Sequence, residues 1–250
     1  MADDIAHKFE LETLESFDPK VFEGDDAVPQ EVCNFVLTLA LIFNDLKNLL
    51  YANAYLQNVK PEGDFKINRG WGNYGGITNH FNRNMIGLVR EIQILIQNNL
   101  KAIEHPFIQS IINKLDIPSQ EAWKSLIESS QGKPSNNQIG KFLVCIRSQV
   151  IFHYEPKSIY GGYKQFFSSG VKAAERAYIS RGGNMAKTRY YFADAAVTGC
   201  FERYKKDYQN GDIFFDTMSI LDKLNFALMD IINNFIIKRG FSFRSVHEEI

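Results

Sequence analysis

Residues that build disulfide frameworks and tight turns are scarce in this sequence. Its 250 residues include three cysteines, seven prolines and two tryptophans. The cysteines are odd in number, far apart, and each is set in an apolar helical pattern: Cys33, Cys145 and Cys200. This distribution favours reduced, buried thiols in an intracellular protein over a disulfide framework.

Strand signals are also nearly absent. Segments that alternate apolar and polar residues are short, and Asn210-Gly211 lies between helical patterns rather than between two β-rich runs. Long stretches instead carry apolar residues three and four positions apart, at 29–59, 81–104 and 213–238. The sequence therefore predicts an all-α fold, a single-domain helical bundle with long antiparallel helices.

The predicted domain organisation is simple. A polar, acidic lead-in at 1–27, which we expect to be loosely held, precedes a helical domain at 28–240 and a C-terminal tail at 241–250. A glycine-dense stretch at 60–76 predicts a structured loop, and we assign no role to its Trp71. Shorter helices are expected twice between 107 and 131, and at 163–179 and 186–208.

Net charge and hydropathy restrict the kinds of partner that we expect this protein to bind. The formal net charge is -1, so the molecule as a whole has no basic field that attracts nucleic acid, and an RNA ligand requires a local patch. The N-terminus is acidic and lacks the apolar core of a signal peptide. The most apolar run, 32–50, is too polar for a bilayer span, since it contains Asn34, Asn44, Asp45 and Lys47. We expect a soluble, cytoplasmic protein without a membrane partner.

Several common catalytic motifs are missing from the sequence. It has no G-x-x-x-x-G-K-[ST] phosphate loop and no G-x-G-x-x-G, G-x-S-x-G or H-E-x-x-H motif. No glutamate stands three residues before a histidine, and the five histidines are scattered singly. We therefore expect neither a bound metal nor a cofactor.

The densest cluster of reactive side chains lies in 139–163, IGKFLVCIRSQVIFHYEPKSIYGGY. An apolar helical pattern carries Arg147, and His153 and Tyr154 follow shortly before Pro156. In a regular helix Arg147 and Tyr154 share a face, whereas His153 lies about 120° away from Arg147. Because proline disfavours helical dihedrals at the preceding residue, we expect the helix to loosen here and His153 to approach Arg147.

The stretch RSQVIFHY resembles the R-x(4-6)-H signature of the higher eukaryotes and prokaryotes nucleotide-binding (HEPN) superfamily. This resemblance implies a compact all-α protein, in many cases a metal-independent ribonuclease that acts as a homodimer, in host defence or as a toxin. It implies that Arg147 and His153 are catalytic and that Ser148 and Tyr154 support them. Many active members carry a strongly polar residue after the arginine; serine at 148 can still donate and accept a hydrogen bond.

The implied reaction needs no protein nucleophile and no metal, because the ribose 2′-hydroxyl attacks the adjacent phosphate. His153 would act as general acid or base, since imidazole titrates near neutral pH. Arg147 would hold the phosphate and stabilise charge on its oxygens. In such families the site forms where two copies of this helix meet, which predicts a homodimer with two-fold symmetry.

Other interpretations stay open. Arg147 and His153 could instead satisfy a helix C-terminus, where the macrodipole favours cations. The chain would then be a non-catalytic helical module that binds a protein or a nucleotide. A third interpretation is a structural oligomer built on the long helices at 29–59 and 213–238. The sequence identifies no cognate regulator.

A second group of basic residues lies between 181 and 208, interleaved with tyrosines and a phenylalanine. Phosphate pairing combined with base stacking suits single-stranded nucleic acid. The alternative is an ordinary amphipathic helix with tyrosines on its core face and lysines in water. The predicted RNA-binding residues are Arg181, Lys187, Arg189, Lys205 and Lys206.

Overall fold

The computed structural model describes residues 14–64, 67–131, 138–151, 154–170, 175–208 and 213–245. Helices dominate these residues, which confirms the predicted all-α class. One short antiparallel ladder within the described ranges joins β1 (Glu15–Ser16) to β2 (Arg244–Ser245). The helices are α1 (Gln30–Asn58), α2 (Arg69–Asn98), α3 (Leu100–Glu104), α4 (Pro106–Ile112), α5 (Ile117–Gln131), α6 (Gln138–Ile146), α7 (Pro156–Phe167), α8 (Tyr191–Asp207) and α9 (Ile213–Lys238).

The helices with the clearest apolar periodicity lie where the sequence predicts them. α1 and α9 match 29–59 and 213–238, and α4 and α5 are the two short helices expected between 107 and 131. Gly240 follows α9 with a φ of 81°. Glycine adopts this left-handed conformation without steric cost, so Gly240 ends the helix.

The glycine-dense stretch at 60–76 is only partly a loop. α2 begins at Arg69, so the prediction of a loop is wrong from that residue onward. The side-chain oxygen of Asn68 accepts a hydrogen bond from the backbone N–H of Trp71 at 3.0 Å. This bond satisfies one of the free N–H groups of the first turn and so favours the start of a helix.

Close packing explains why α2 tolerates its glycines. A methyl group on Gly72 would overlap the ring of Tyr191, and one on Gly76 would overlap the guanidinium of Arg189. Glycine lowers helix stability by about 1 kcal/mol relative to alanine. The contacts that the bare backbone permits offset this cost, and composition alone does not reveal them.

α7 begins earlier than the helix predicted at 163–179. Pro156 occupies its first position, where the fixed φ of proline suits a helix and its missing N–H removes no helical hydrogen bond. The carboxylate of Glu155 accepts hydrogen bonds from the N–H groups of Lys157 and Ser158 at 3.0 and 2.5 Å. A hydrogen bond with the Ser158 side chain lowers the pKa of Glu155. The Glu-Pro pair therefore starts a helix, and the prediction of a helix reaching 179 is wrong.

α8 begins at Tyr191, later than the start predicted at 186. Ser180 and Arg189 form an isolated antiparallel bridge, in which each N–H donates to the other residue's carbonyl at 2.9 Å. A short 3-10 turn at Met185–Lys187 lies inside this bridge. The bridge closes a loop whose backbone hydrogen bonds are incompatible with a helix, and α8 starts only after it.

Spatial proximity divides the chain into two compact units. The first unit comprises 1–48, 91–132 and 219–250, and the second comprises 49–90 and 133–218. The organisation into a single domain that the sequence suggests stays a prediction.

The first unit has a core of large side chains. Phe22 stacks on Phe235 with ring centroids 5.8 Å apart, and Phe107 meets the same ring edge-on at 5.6 Å. Such ring pairs stabilise a core beyond the area that they bury. The largest side chains with almost no exposure in this unit include Phe35, Leu39, Ile96, Ile108, Trp123 and Phe235.

The lead-in packs on the first unit at 21–25, so the expectation of a loose segment is wrong there, whereas residues 14–20 are exposed. Val21 is fully buried. Arg239 donates from Nε to the carbonyl of Val21 at 3.2 Å, from Nη2 to the carbonyl of Glu23 at 2.6 Å, and from Nη1 to the carboxylate of Asp25. The hydrogen bond from Arg239 lowers the pKa of Asp25. One guanidinium thus anchors the segment that precedes α1.

Arg239→Ala is expected to lower the melting temperature by several degrees, because two backbone carbonyls and a carboxylate lose a charged donor. A carboxylate with a lowered folded pKa stabilises the protein above its unfolded pKa and ceases to do so as the pH falls through the folded value. The difference between variant and wild type should therefore shrink in acid. Scanning calorimetry measures the melting temperatures at neutral and at acidic pH. The control is Arg244→Ala, which replaces an exposed arginine. Equal melting temperatures for the two variants at neutral pH would contradict this account.

In the second unit, α7 and α8 pack through small residues. A methyl group on Gly162 would overlap the carbonyl oxygen of Ala196 and the sulfur of Cys200, and one on Gly199 would overlap the carbonyl of Gly162. The thiol of Cys200 donates to the carbonyl of Ser158 at 3.3 Å, and burial raises the pKa of this thiol. The two backbones lie so close that their relative position is fixed.

α1 is the one described helix that is long and apolar enough, by length and composition, to cross a membrane. Its side chains Phe35, Val36 and Leu39 are buried within the first unit. A core helix of a soluble protein meets the same length and composition criteria. In the window that meets these criteria 28% of the residues are buried, and Leu37 and Leu41 are exposed. The expectation that 32–50 is too polar for a bilayer span therefore does not hold by length and composition. The buried residues are consistent with a soluble protein, and a cytoplasmic location is a proposal.

Candidate functional site

The segment that carries Arg147 departs from regular α-helical geometry. α6 ends at Ile146, and Arg147–Ile151 form a π-helical turn. The hydroxyl of Ser148 donates to the carbonyl of Val144 at 2.6 Å, a bond that competes with the helical ladder. Arg147 is half-buried. Single π-helical turns are rare and occur often at functional sites.

Arg83 of α2 contacts this π-helical turn. Its Nη1 donates to the carbonyl of Val150 at 3.4 Å, and Val150 is buried. Its Nε is also buried and has no hydrogen-bond partner within the described residues. The turn therefore has a second guanidinium beside it. Sequence reasoning missed Arg83 because it lies far from Arg147 along the chain.

Tyr154 lies beyond the turn in an unusual backbone conformation. Its φ is 44°, in the left-handed region, which costs a residue with a side chain about 1–2 kcal/mol. The side chain is 63% exposed. His153 lies outside the described residues, and its approach to Arg147 stays a prediction.

Four of the predicted RNA-binding residues lie toward opposite ends of α8. Arg181 and Lys187 are exposed in the loop that precedes the helix. Lys205 and Lys206 are exposed in its last turn, where the macrodipole favours cations. About 14 residues of helix, or about 21 Å, separate the two pairs. The structure thus does not bring them together into one compact patch.

The fifth of these residues, Arg189, is engaged within the protein. Its Nε and Nη2 donate to the two carboxylate oxygens of Asp194 at 2.9 and 3.3 Å. Its Nη1 donates to the side-chain oxygen of Asn73 at 3.2 Å. Both members of the ion pair are largely covered, with side chains 27% and 26% exposed. The charge of Arg189 is therefore neutralised by a bidentate partner.

His80 of α2 has a perturbed imidazole. Its Nε2 lies 3.0 Å from Nδ2 of Asn84. Although the residue as a whole is exposed, partial burial of the ring lowers the pKa of His80, and the charges of Arg83 and Arg189 lower it further. The folded protein thus favours the neutral ring.

This lowered pKa predicts a pH dependence of stability. As the pH falls below about 6.5, the ordinary histidine pKa, the unfolded chain binds a proton that folded His80 resists, so stability decreases. The decrease stops once the pH is below the folded pKa. His80→Gln should therefore show a smaller fall in melting temperature between about pH 7.5 and 5 than wild type. An identical pH dependence in the two proteins would show that His80 contributes nothing.

The second unit also contains an aromatic cleft that the sequence does not predict. The start of α2, the end of α7, the start of α8 and residues 176–179 enclose a volume of about 370 Å³. Six of the 18 described residues that line it are aromatic: Trp71, Phe166, Phe167, Tyr178, Tyr191 and Phe192. None of Arg147, Ser148 and Tyr154 lines it.

Polar groups in the aromatic cleft are few. Nδ2 of Asn79 donates to the hydroxyl of Thr198 at 3.0 Å. The carboxylate of Asp194 is neutralised by its bidentate ion pair. Arg69 and Arg176 are exposed at the lining, and neither forms an ion pair with another described residue. The cleft therefore combines apolar rings with two available cations.

One sequence signal for this cleft was present. In RGWGNYGG the number of glycines, at 72, 75 and 76 among others, predicts a loop. At helical spacing they share a face with Asn79, since residues three, four and seven positions apart are neighbours on a helix. That pattern indicates a helix with a bare strip of backbone, which is what α2 presents.

Within the described part of the chain, no group of three or more His, Cys, Asp or Glu side chains is placed to hold a metal ion. Comparison with family models, with curated proteins and with solved structures finds no match to this chain. Interpretation of the site therefore depends on the RSQVIFHY segment, the π-helical turn and the aromatic cleft.

Proposed function

We propose that this protein is a metal-independent endoribonuclease of HEPN type, in which Arg147 and His153 act on one RNA phosphate. Two observations on either side of His153 carry the proposal: the π-helical turn at Arg147–Ile151 and the left-handed backbone of Tyr154. A regular helix would keep His153 on a different face from Arg147. A backbone that departs from regular helical geometry supports the convergence of the Arg147 and His153 side chains. Backbone distortions of this kind cluster at functional sites.

In the proposed reaction, the ribose 2′-hydroxyl attacks the adjacent phosphorus and the 5′-oxygen of the next nucleotide leaves. His153 accepts the proton of the hydroxyl or donates one to the leaving oxygen. Arg147 holds the phosphate oxygens with its planar fork, and Ser148 and Tyr154 position these groups. Arg83 adds positive charge beside the same turn. The product is a 2′,3′-cyclic phosphate.

The proposal includes a homodimer with two-fold symmetry, in which the two 147–154 segments face each other. One arginine and one histidine from each subunit then line a shared cleft. Light scattering coupled to size-exclusion chromatography should give twice the mass of the chain at concentrations where RNA is cleaved. A fully active monomer would contradict this part of the proposal.

RNA cleavage in EDTA tests the reaction class. Wild type is expected to cut single-stranded RNA in the chelator and to leave 2′,3′-cyclic phosphate ends, because the nucleophile belongs to the substrate. Replacing the 2′-hydroxyl at the cleaved position by hydrogen should block the cut. Mass spectrometry of the fragments identifies the ends. Fragments with free 3′-hydroxyls, or a requirement for added metal, would reject this mechanism.

A non-catalytic binding module is the second candidate, and one observation favours it. The aromatic cleft is lined by none of the residues in the 147–154 segment that the structure describes. RNA or nucleotide binding without cleavage of varied RNAs by wild type would support this candidate. A role in host defence is a proposal that follows from the resemblance alone, and a cytoplasmic location is a proposal that follows from the pattern of cysteines.

A further inference from the structure

We propose that the aromatic cleft binds a nucleobase together with its phosphate, supplied either by a free nucleotide or by an unpaired nucleotide of single-stranded RNA. The volume of about 370 Å³ lies at the lower end of the range for small-ligand sites, about 300–1,000 Å³. One nucleotide is a ligand of that size. The described residues that line the cleft all belong to the second unit.

The shape of the cleft suits a flat ring. Trp71 and Tyr191 contribute aromatic surfaces, and base stacking on such rings contributes about 1–3 kcal/mol per base. Gly75 lines the cleft, and a methyl group on it would meet no atom within 4 Å. The helix backbone therefore opens directly onto the empty space, and a planar ligand can approach it closely.

The charge of the cleft suits an anion. Arg69 and Arg176 line it without a carboxylate partner in the described part of the chain. Asp194, the one acidic residue among the described residues of the lining, is neutralised by Arg189. A phosphate on the ligand would compensate the two cations, and guanidinium groups match phosphate geometry.

The polar wall of the cleft gives a means of recognising a base edge. Asn79 donates to Thr198 at 3.0 Å, which leaves its amide oxygen and second N–H group for a ligand. Hydrogen bonds of this kind combined with stacking are the usual way in which proteins read unpaired bases. A purely apolar ligand would leave these groups and the two arginines without partners.

If the proposed endoribonuclease function holds, α7 connects the two sites, and this part of the inference depends on that function. Lys157, Gly161 and Lys164 are spaced four and three residues apart and so share one face of α7. Arg203 approaches Gly161, and Nζ of Lys164 lies 5.0 Å above the ring of Tyr160. This face extends for about 18 Å along the helix, from the end near Tyr154 to the end at the cleft. Its cations suit the phosphates of an RNA strand.

Tryptophan fluorescence provides the test, because the chain has two tryptophans and only Trp71 lines the cleft. Trp123 is 2% exposed in the first unit and serves as an unresponsive reference. Each probe is titrated into wild type in EDTA: AMP, UMP, inorganic phosphate, and a 2′-O-methyl oligoribonucleotide that cannot be cleaved by 2′-hydroxyl attack. The nucleotides or the oligonucleotide should quench the emission, and phosphate alone should not. Trp71→Phe should abolish the quenching.

Two variants test whether the ligand binds in the aromatic cleft or elsewhere on the protein. Gly75→Leu should abolish binding and leave the melting temperature unchanged or higher, because leucine fills open space and favours the helix. Arg176→Ala should weaken binding by at least about 10-fold through loss of a charge-assisted hydrogen bond. The matched control is Arg244→Ala, an exposed arginine that does not line the cleft, and it should bind as wild type does.

The probes also separate the two sources of the nucleotide. Binding of AMP or UMP as tight as that of the oligonucleotide supports a free nucleotide. An oligonucleotide that binds at least about 10-fold more tightly, and that Lys164→Ala weakens, supports a strand along α7. Absence of quenching by all base-containing probes at millimolar concentration, or unaltered binding by Gly75→Leu, overturns the proposal. If Arg147-dependent cleavage is then still observed in EDTA, only the cleft proposal fails.

Discussion

Replacing Arg147 with alanine is expected to reduce kcat/KM for RNA cleavage by about 100-fold to 1,000-fold, the loss typical of removing one group that stabilises transition-state charge. Alanine removes both the cation and the planar fork that would bind two phosphate oxygens. Arg147→Lys keeps the charge and most of the half-buried stem, so it should lose less activity and retain the melting temperature.

A matched arginine variant serves as the control for this experiment. Arg244 is exposed in β2, which belongs to the first unit, whereas residues 147–154 belong to the second unit. Arg244→Ala removes the same charge from the protein and should cleave at the wild-type rate. Equal activity of the Arg147 and Arg244 variants would show that Arg147 has no special role.

Gly162→Ala is expected to cause the largest loss of stability. The added methyl would overlap a backbone carbonyl and the Cys200 sulfur, neither of which is the far end of a flexible side chain. Overpacking of this kind typically costs about 1–3 kcal/mol or more, which exceeds the gain of about 1 kcal/mol from alanine in a helix. A net loss of about 2 kcal/mol lowers the melting temperature of a chain of this size by about 4–8 °C.

Gly183→Ala is the control for the effect of a glycine substitution in the same unit. A methyl group on Gly183 meets no atom within 4 Å, and its φ is not in the left-handed region. The melting temperature of Gly183→Ala should stay within about 1–2 °C of the wild-type value. A wild-type melting temperature for Gly162→Ala would contradict the close packing of α7 on α8.

Sequence periodicity predicts the long helices well, because the apolar stripe that is visible in the sequence is the helix face that becomes buried in the core. α1 and α9 are examples, with Leu39 and Leu228 fully buried on those stripes. Where local composition and tertiary contacts disagree, the prediction is wrong. The glycines of α2 are helical because Tyr191 and Arg189, more than 100 residues away along the chain, pack on the bare backbone, and glycine content alone does not reveal such partners.

The candidate site is predictable only in part for a related reason. The spacing of Arg147 and His153 is visible in the sequence, whereas the π-helical turn between them is a backbone rearrangement that no residue type specifies. Pro156 predicts a loosening of the helix before it, but the sequence does not reveal that Glu155 caps the start of the next helix. The aromatic cleft assembles side chains from three helices and a loop, so no single stretch of sequence contains it.

The most direct test of the account is a double-mutant cycle for Arg147→Ala and His153→Ala, with kcat/KM for RNA cleavage measured in EDTA. When two groups act together on one phosphate, the losses in kcat/KM of the two single variants do not multiply in the double variant, because removing either group already disables the other. The account predicts that the double variant cleaves about as slowly as the slower single variant. Losses that multiply, or single variants that cleave at the wild-type rate, would contradict a joint role for these two residues.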